Sequence, residues 1–206
     1  MKRNKNIIAS FAKAVSFSLG VFLILTIGYW IVEPNIVGAA VDTDDVIVNL
    51  NVLSTISLNT PSDVNMAPDI TGTGSSTGNV VWQVTTNDSA GWKLEVEASG
   101  SPAMASGGDT FADYGEAVEG TPETWSIAAS VSEFGFGATG TYVLAKYGAD
   151  KYMGFNSTTN EQVSTNSAEG SAVETTVIFK AEVGASKSQP SGAYLATVTA
   201  TATTLP

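Results

Sequence analysis

Glu95 and Glu97 stand two residues apart beside Lys93, and a pair of carboxylates is what the hydrolysis of a glycosidic bond requires, one on each side of the scissile bond. Their spacing points elsewhere. Residues two apart in an extended segment share a face, so both acids and Lys93 form the wet face of a half-buried strand. Ser186 beside Lys187 and the scattered Asp109, Asp113 and Glu116 read the same way. "GFGATG", Gly135 to Gly140, fits a dinucleotide-binding fingerprint, with Glu161 about twenty residues further on. No strand–helix–strand alternation surrounds it, so it reads as a glycine-loosened bend. Asp42, Asp44 and Asp45 offer hard oxygen ligands to Ca2+ but lack the glycine and distal glutamate of a helix–loop–helix site. They read first as an acidic leader that keeps the chain soluble.

The strongest chemical statement is an absence. The 206 residues contain no Cys and no His, which removes thiol nucleophiles, imidazole bases, disulfides and most zinc and iron sites. No catalytic residue, cofactor or metal is expected, and the chain reads as a non-enzyme. Nine basic residues against twenty acidic ones, a net charge of −11, argue against nucleic acid as a partner. Asn87 and Asn156 each open an N-x-S/T glycosylation triplet, which matters only where secreted chains are modified.

The elements that would position these residues begin with a basic flank, Lys2, Arg3, Lys5 and Lys13. The uncharged apolar run Ala14–Val32 follows, then Glu33, Pro34 and the small residues of "NIVGAAVD". This is the pattern of a secretory signal cleaved after Ala39 or Ala40, and residues 1–40 are so assigned. The alternative is an uncleaved anchor, since about twenty apolar residues can span a bilayer; residues 14–32 would then be the only membrane contact. A type IV pilin leader fits less well, because its processing site would precede the apolar run.

Residues 41–206 read as one domain. Val46, Val48, Leu50, Val52, Ile56 and Leu58 alternate over 46–58 with Ser54 as the only break, a run longer than the usual strand of about 5–6 residues. Either a bulge near Ser54 divides it, or its first half reaches beyond its own domain. "GTGSSTG" at 72–78 reads as a flexible turn, and "NVVWQVTTNDSAGWKLEVEA" as a hairpin in which Trp92, Leu94 and Val96 share the buried face. Pro- and Gly-punctuated loops follow to Glu123. Shorter strands are expected at "TWSIAA", "FGFGA", "TYVLAKY" and "KYMGF", and clear ones at "ETTVIFKAEV" and "GAYLATVTATATT". Without a sustained helical period, the expectation is a single antiparallel β-sandwich, Greek-key or jelly-roll-like, preceded by the N-terminal hydrophobic helix.

Two family likenesses arise on these residues. "AGWKLEV" resembles the first tryptophan motif of WxL cell-surface domains; where that family's second Trp-x-Leu lies, this chain has Tyr194, an alternating strand and Ala200. "QPSGAYLATVTATAT" is similar to the closing strand of spore-coat-U-like and other pilin-like secreted sandwiches. Both imply an exported, non-enzymatic, cell-surface structural protein. Two expectations follow: a filament subunit that polymerises with itself by donating Val46, Val48, Leu50 and Val52 to a neighbour's sheet, or a module that binds a cell-wall polymer or polysaccharide around Trp92 and Leu94.

Overall fold

A computed structural model of the chain describes residues 42–155 and 160–206. The proposed signal or anchor segment 1–40 and the Asn156 triplet lie outside the described residues. The chain divides after Leu50 into two units. In the first, residues 42–50 form no strand and are exposed. The second, Asn51–Pro206, carries every strand and the whole buried core found among the described residues, and so has what an independently folding domain needs.

Among the described residues eleven strands run in order: β1 Ile56–Leu58, β2 Gly74–Thr86, β3 Trp92–Ala98, β4 Met104–Ser106, β5 Asp109–Asp113, β6 Glu123–Thr124, β7 Ser132–Thr139, β8 Lys151–Tyr152, β9 Glu161–Asn166, β10 Gly170–Val183 and β11 Val198–Thr204. They form a six-stranded sheet of order β1-β2-β10-β7-β5-β4, a three-stranded sheet β11-β3-β9 and the small β6-β8 pair. No helix occurs among the described residues, so none there is long and apolar enough to cross a membrane. The all-β fold agrees with the sequence pattern. The sheet is nevertheless mixed, because β5 runs parallel to β7 through Ala112 opposite Glu133 and Asp113 opposite Phe134.

Alternation places the core between the two larger sheets. From the large sheet come Val80, Trp82 and Val84 of β2, Phe134 and Phe136 of β7, and Val177 and Phe179 of β10; from the small one come Trp92, Leu94 and Val96 of β3. Phe155 stacks on Phe136 at 4.4 Å between ring centres and on Phe134 at 5.7 Å, so an aromatic cluster fills the middle. The turn before β3 depends on Gly91, whose φ is +100° and whose Cβ, were there one, would stand 2.0 Å from the Asn166 carbonyl oxygen.

Several expectations change. "GTGSSTG" is no loop: it begins β2, which pairs with β10 from Val84 opposite Val173 to Gly74 opposite Val183. Two glycines of "GFGATG", Gly135 and Gly137, lie inside β7, and only Gly140, just past its end, sits at a bend. Gly135 and Gly137 face away from the aromatic cluster, and a Cβ there would meet the carbonyl oxygens of Met153 and Lys151 at 2.6 and 2.5 Å. They let the backbone of 151–153 lie directly on the strand, bonded through Phe136 N–H to the Met153 carbonyl at 2.9 Å. "TYVLAKY" is a turn segment touching β9 through Val143 opposite Ser164. "TWSIAA" contributes only its first residue to a strand, and β4, β5 and β9 arise where no strand was expected. The long strand over 46–58 is the largest change, since only Ile56–Leu58 pairs.

Candidate functional site

The reason that run stops at β1 lies in the turn between β2 and β3. The Asn87 side chain accepts from the Thr55 amide at 2.7 Å and donates to the Leu53 carbonyl at 3.0 Å. Ser54 donates its hydroxyl to Asp88, whose other carboxylate oxygen accepts from the Ala90 amide at 2.9 Å. Thr86 donates to the Thr55 carbonyl at 2.7 Å. Side chains thus take the place of a strand partner at 53–55. The Ser54 hydroxyl, followed by the Ala90 amide, holds the Asp88 carboxyl below its ordinary range, because both bond the charged form. Ser54, the break in the alternation, is the residue that the turn clips.

Upstream of this clip the expected assembly residues form an exposed arm. Val46, Val48, Leu50 and Val52 are 80, 87, 85 and 77% exposed, and Ile47 and Leu53 are also bare. None lies in a strand. Isolated exposed aliphatic residues are common, but six within eight positions of chain are an apolar surface without cover.

Trp92 and Leu94, the expected polymer-binding pair, are both 0% exposed. This corrects the reading of them as a binding surface: they point into the core, and a polymer cannot stack on rings it does not meet. The Trp92 ring packs edge-on against Tyr142 at 6.3 Å, and its indole N–H is buried without a hydrogen-bond partner. Ala200, at the place of the second tryptophan motif, lies on β11 opposite Val96 of β3. A more exposed aromatic group surrounds Trp125, but both of its faces are occupied. Tyr114 stacks on the ring at 4.4 Å, the Lys180 ammonium stands 5.0 Å from its centre, and the indole N–H donates to Glu182 at 2.7 Å.

Carboxylates gather around an open cleft of about 630 Å³ that includes Asp113, Glu116 and Glu161. Each is engaged by its own fold. Asp113 accepts from the Ser101 hydroxyl at 2.7 Å and the Ala103 amide at 2.8 Å, and Glu116 accepts from the amides of Gly120 and Gly154. Glu161 forms an ion pair with Lys146 and accepts from the Tyr147 hydroxyl at 3.4 Å. Burial first, then the Glu161 charge, pushes the Tyr147 hydroxyl far above the usual tyrosine range. Glu95 pairs with Lys93 at 2.9 Å on the outer face of β3, as the alternation requires. Asp42, Asp44 and Asp45 are exposed, and among the described residues no three acidic groups converge on a point that could hold a metal ion. The Ser186 hydroxyl bonds the Ala129 carbonyl at 2.9 Å.

Comparison with protein-family models, with curated proteins and with solved structures finds no match.

Proposed function

We propose that this chain is a secreted, non-enzymatic structural subunit of the cell surface, which polymerises by donating residues 46–52 to a second copy. One observation carries the reading. Val46, Val48, Leu50 and Val52 alternate as a core-facing strand does, yet all are at least 77% exposed. Alternation of this kind is stable only where something covers the apolar row. Strand addition supplies that cover, since the recipient's backbone takes up the arm's N–H and C=O groups while its core receives the side chains.

Magnitudes show why both parts are needed. Fully burying a Val or Leu side chain is worth roughly 1.5–3 kcal/mol, while association costs about 4–15 kcal/mol in lost freedom. Four side chains alone barely balance that cost, so the backbone ladder must add to them. An arm that leaves one copy to enter the next makes a head-to-tail contact, and where its rotation does not close a ring the product is a fibre.

The test is electron microscopy of a purified chain beginning at Val41 beside one beginning at Leu53. Fibres from the longer chain and folded monomers from the shorter are the expected result. Monomers from both would overturn the reading.

A further inference from the structure

Resting on that reading, we infer that the acceptor is the outer edge of β11, the strand Val198–Thr204, in the neighbouring copy. The two larger sheets leave four edges among the described residues: β1 and β4 in the six-stranded sheet, β9 and β11 in the three-stranded one. Two are covered from within the chain. Ala105 of β4 exchanges both backbone bonds with Leu195, at 3.0 and 2.9 Å. On β9, the Val163 carbonyl accepts from the Leu144 amide and the Thr165 amide donates to the Tyr142 carbonyl, each at 3.0 Å. β1 is only three residues long, and just past it the Asn59 side chain closes the edge of β2, accepting from the Gln83 amide at 2.6 Å and donating to the Val81 carbonyl at 3.2 Å. β11 is the one long edge of these two sheets whose outward backbone groups bond no further strand among the described residues, although the short β1 lies near it.

Its register shows which groups are open. Ser99 donates to the Thr197 carbonyl at one end of the β3–β11 ladder, and Leu205 donates to the Gly91 carbonyl at the other. In an antiparallel ladder the hydrogen-bonded positions alternate, so Thr199, Thr201 and Thr203 direct their backbone groups to β3. Val198, Ala200, Ala202 and Thr204 therefore direct their N–H and C=O groups outward, to the free edge.

Those same four residues face the core with their side chains, and there the cover is thin. On β3 the inward row Trp92, Leu94, Val96 and Ala98 is at most 2% exposed, whereas Val198, Ala200, Ala202 and Thr204 are only half-buried. Two alanines give this row little apolar bulk. An arm whose inward residues are Val, Val, Leu and Val would extend that row with larger apolar side chains. The lengths also agree: β11 has seven residues, and the donated stretch 46–52 spans as many. The outward residues of β11 are threonines without charge, so nothing on its wet face repels an approaching strand.

Proline at Ala202 gives a selective test. It removes an N–H that points away from β3, so it leaves the intramolecular ladder intact and blocks only the added strand. With chains beginning at Val41, Ala202→Pro is expected to stay monomeric where the parent forms fibres. Mixed with a chain beginning at Leu53, which can accept but not donate, it is expected to form a one-to-one dimer through its own intact arm. Fibres from Ala202→Pro as abundant as the parent's would overturn β11 as acceptor while leaving the donated arm standing. Absence of fibres from the parent itself would overturn both. Should the proline variant fail to fold, disulfide trapping decides, because the chain has no cysteine of its own. Asn49→Cys on one chain is oxidised with Thr199→Cys, Thr201→Cys or Thr203→Cys on another, and with Gln162→Cys of β9 as the control. A mixed dimer at a β11 position and none at Gln162→Cys supports the assignment; the reverse overturns it.

Discussion

At the scale of single residues, the turn at Asn87 and Asp88 decides where the domain ends and the arm begins. Asn87→Ala removes the acceptor of the Thr55 amide and the donor to the Leu53 carbonyl. The expected loss is about 1 kcal/mol, small because these groups can turn to water. Its signature is faster hydrogen exchange at Thr55 with the core amides unchanged. The Asp88 contact adds a pH dependence. A carboxyl held below its ordinary range contributes stability that is complete above the unfolded value near 3.9 and is lost as pH falls through the lower folded value. The Ser54 clip should hold at neutral pH and open only in strong acid, and Ser54→Ala should return the Asp88 titration, followed by carboxyl NMR shifts, toward the ordinary range. Tyr147 works in the opposite direction. Its raised value favours the neutral form, so its contribution is complete below about pH 10 and is lost as pH rises beyond that. Tyr147→Phe is expected to raise the pH midpoint of alkaline unfolding, read by far-ultraviolet circular dichroism.

At the scale of elements, β7 is the strand least tolerant of added volume. Its glycine face carries the backbone of 151–153, and Gly135→Ala would drive a methyl group to 2.6 Å from the Met153 oxygen and 2.8 Å from the Tyr114 Cβ. Backbone cannot step aside as a flexible side chain would, so a loss of roughly 1–3 kcal/mol is expected, measured as a lower urea midpoint. β3 and β10 were legible because each keeps a two-residue alternation with apolar residues on most inward positions. β4 and β9 were not, since one is three residues long and the other reads "EQVSTN", with a bulge between its pairings to Leu94 and Glu95. Gly135 and Gly137 were read as a bend because a glycine signals close approach without telling what approaches. The parallel β5–β7 contact depends on segments about twenty residues apart, which no local pattern reports.

At the scale of the whole molecule, the run from Val46 to Leu58 shows what alternation can and cannot say. A period of two reports that one face of a strand expects cover; it carries no information on which chain provides it. The apolar row was therefore visible in the sequence, while its division at Ser54 was not, because that depends on a turn more than thirty residues away. Trp92 was likewise visible as an inward-facing strand residue, and its burial in the core agrees with that alternation. The clip has a mechanical consequence for a fibre built in this way. Tension transmitted along the arm would enter at Leu53–Thr55, pass to the end of β2 at Thr86, and run lengthwise into β10. Ladder bonds lie across that direction, so they would be loaded in shear and together instead of being peeled one by one. The longest strand pair in the domain would then serve as the tensile member of the filament.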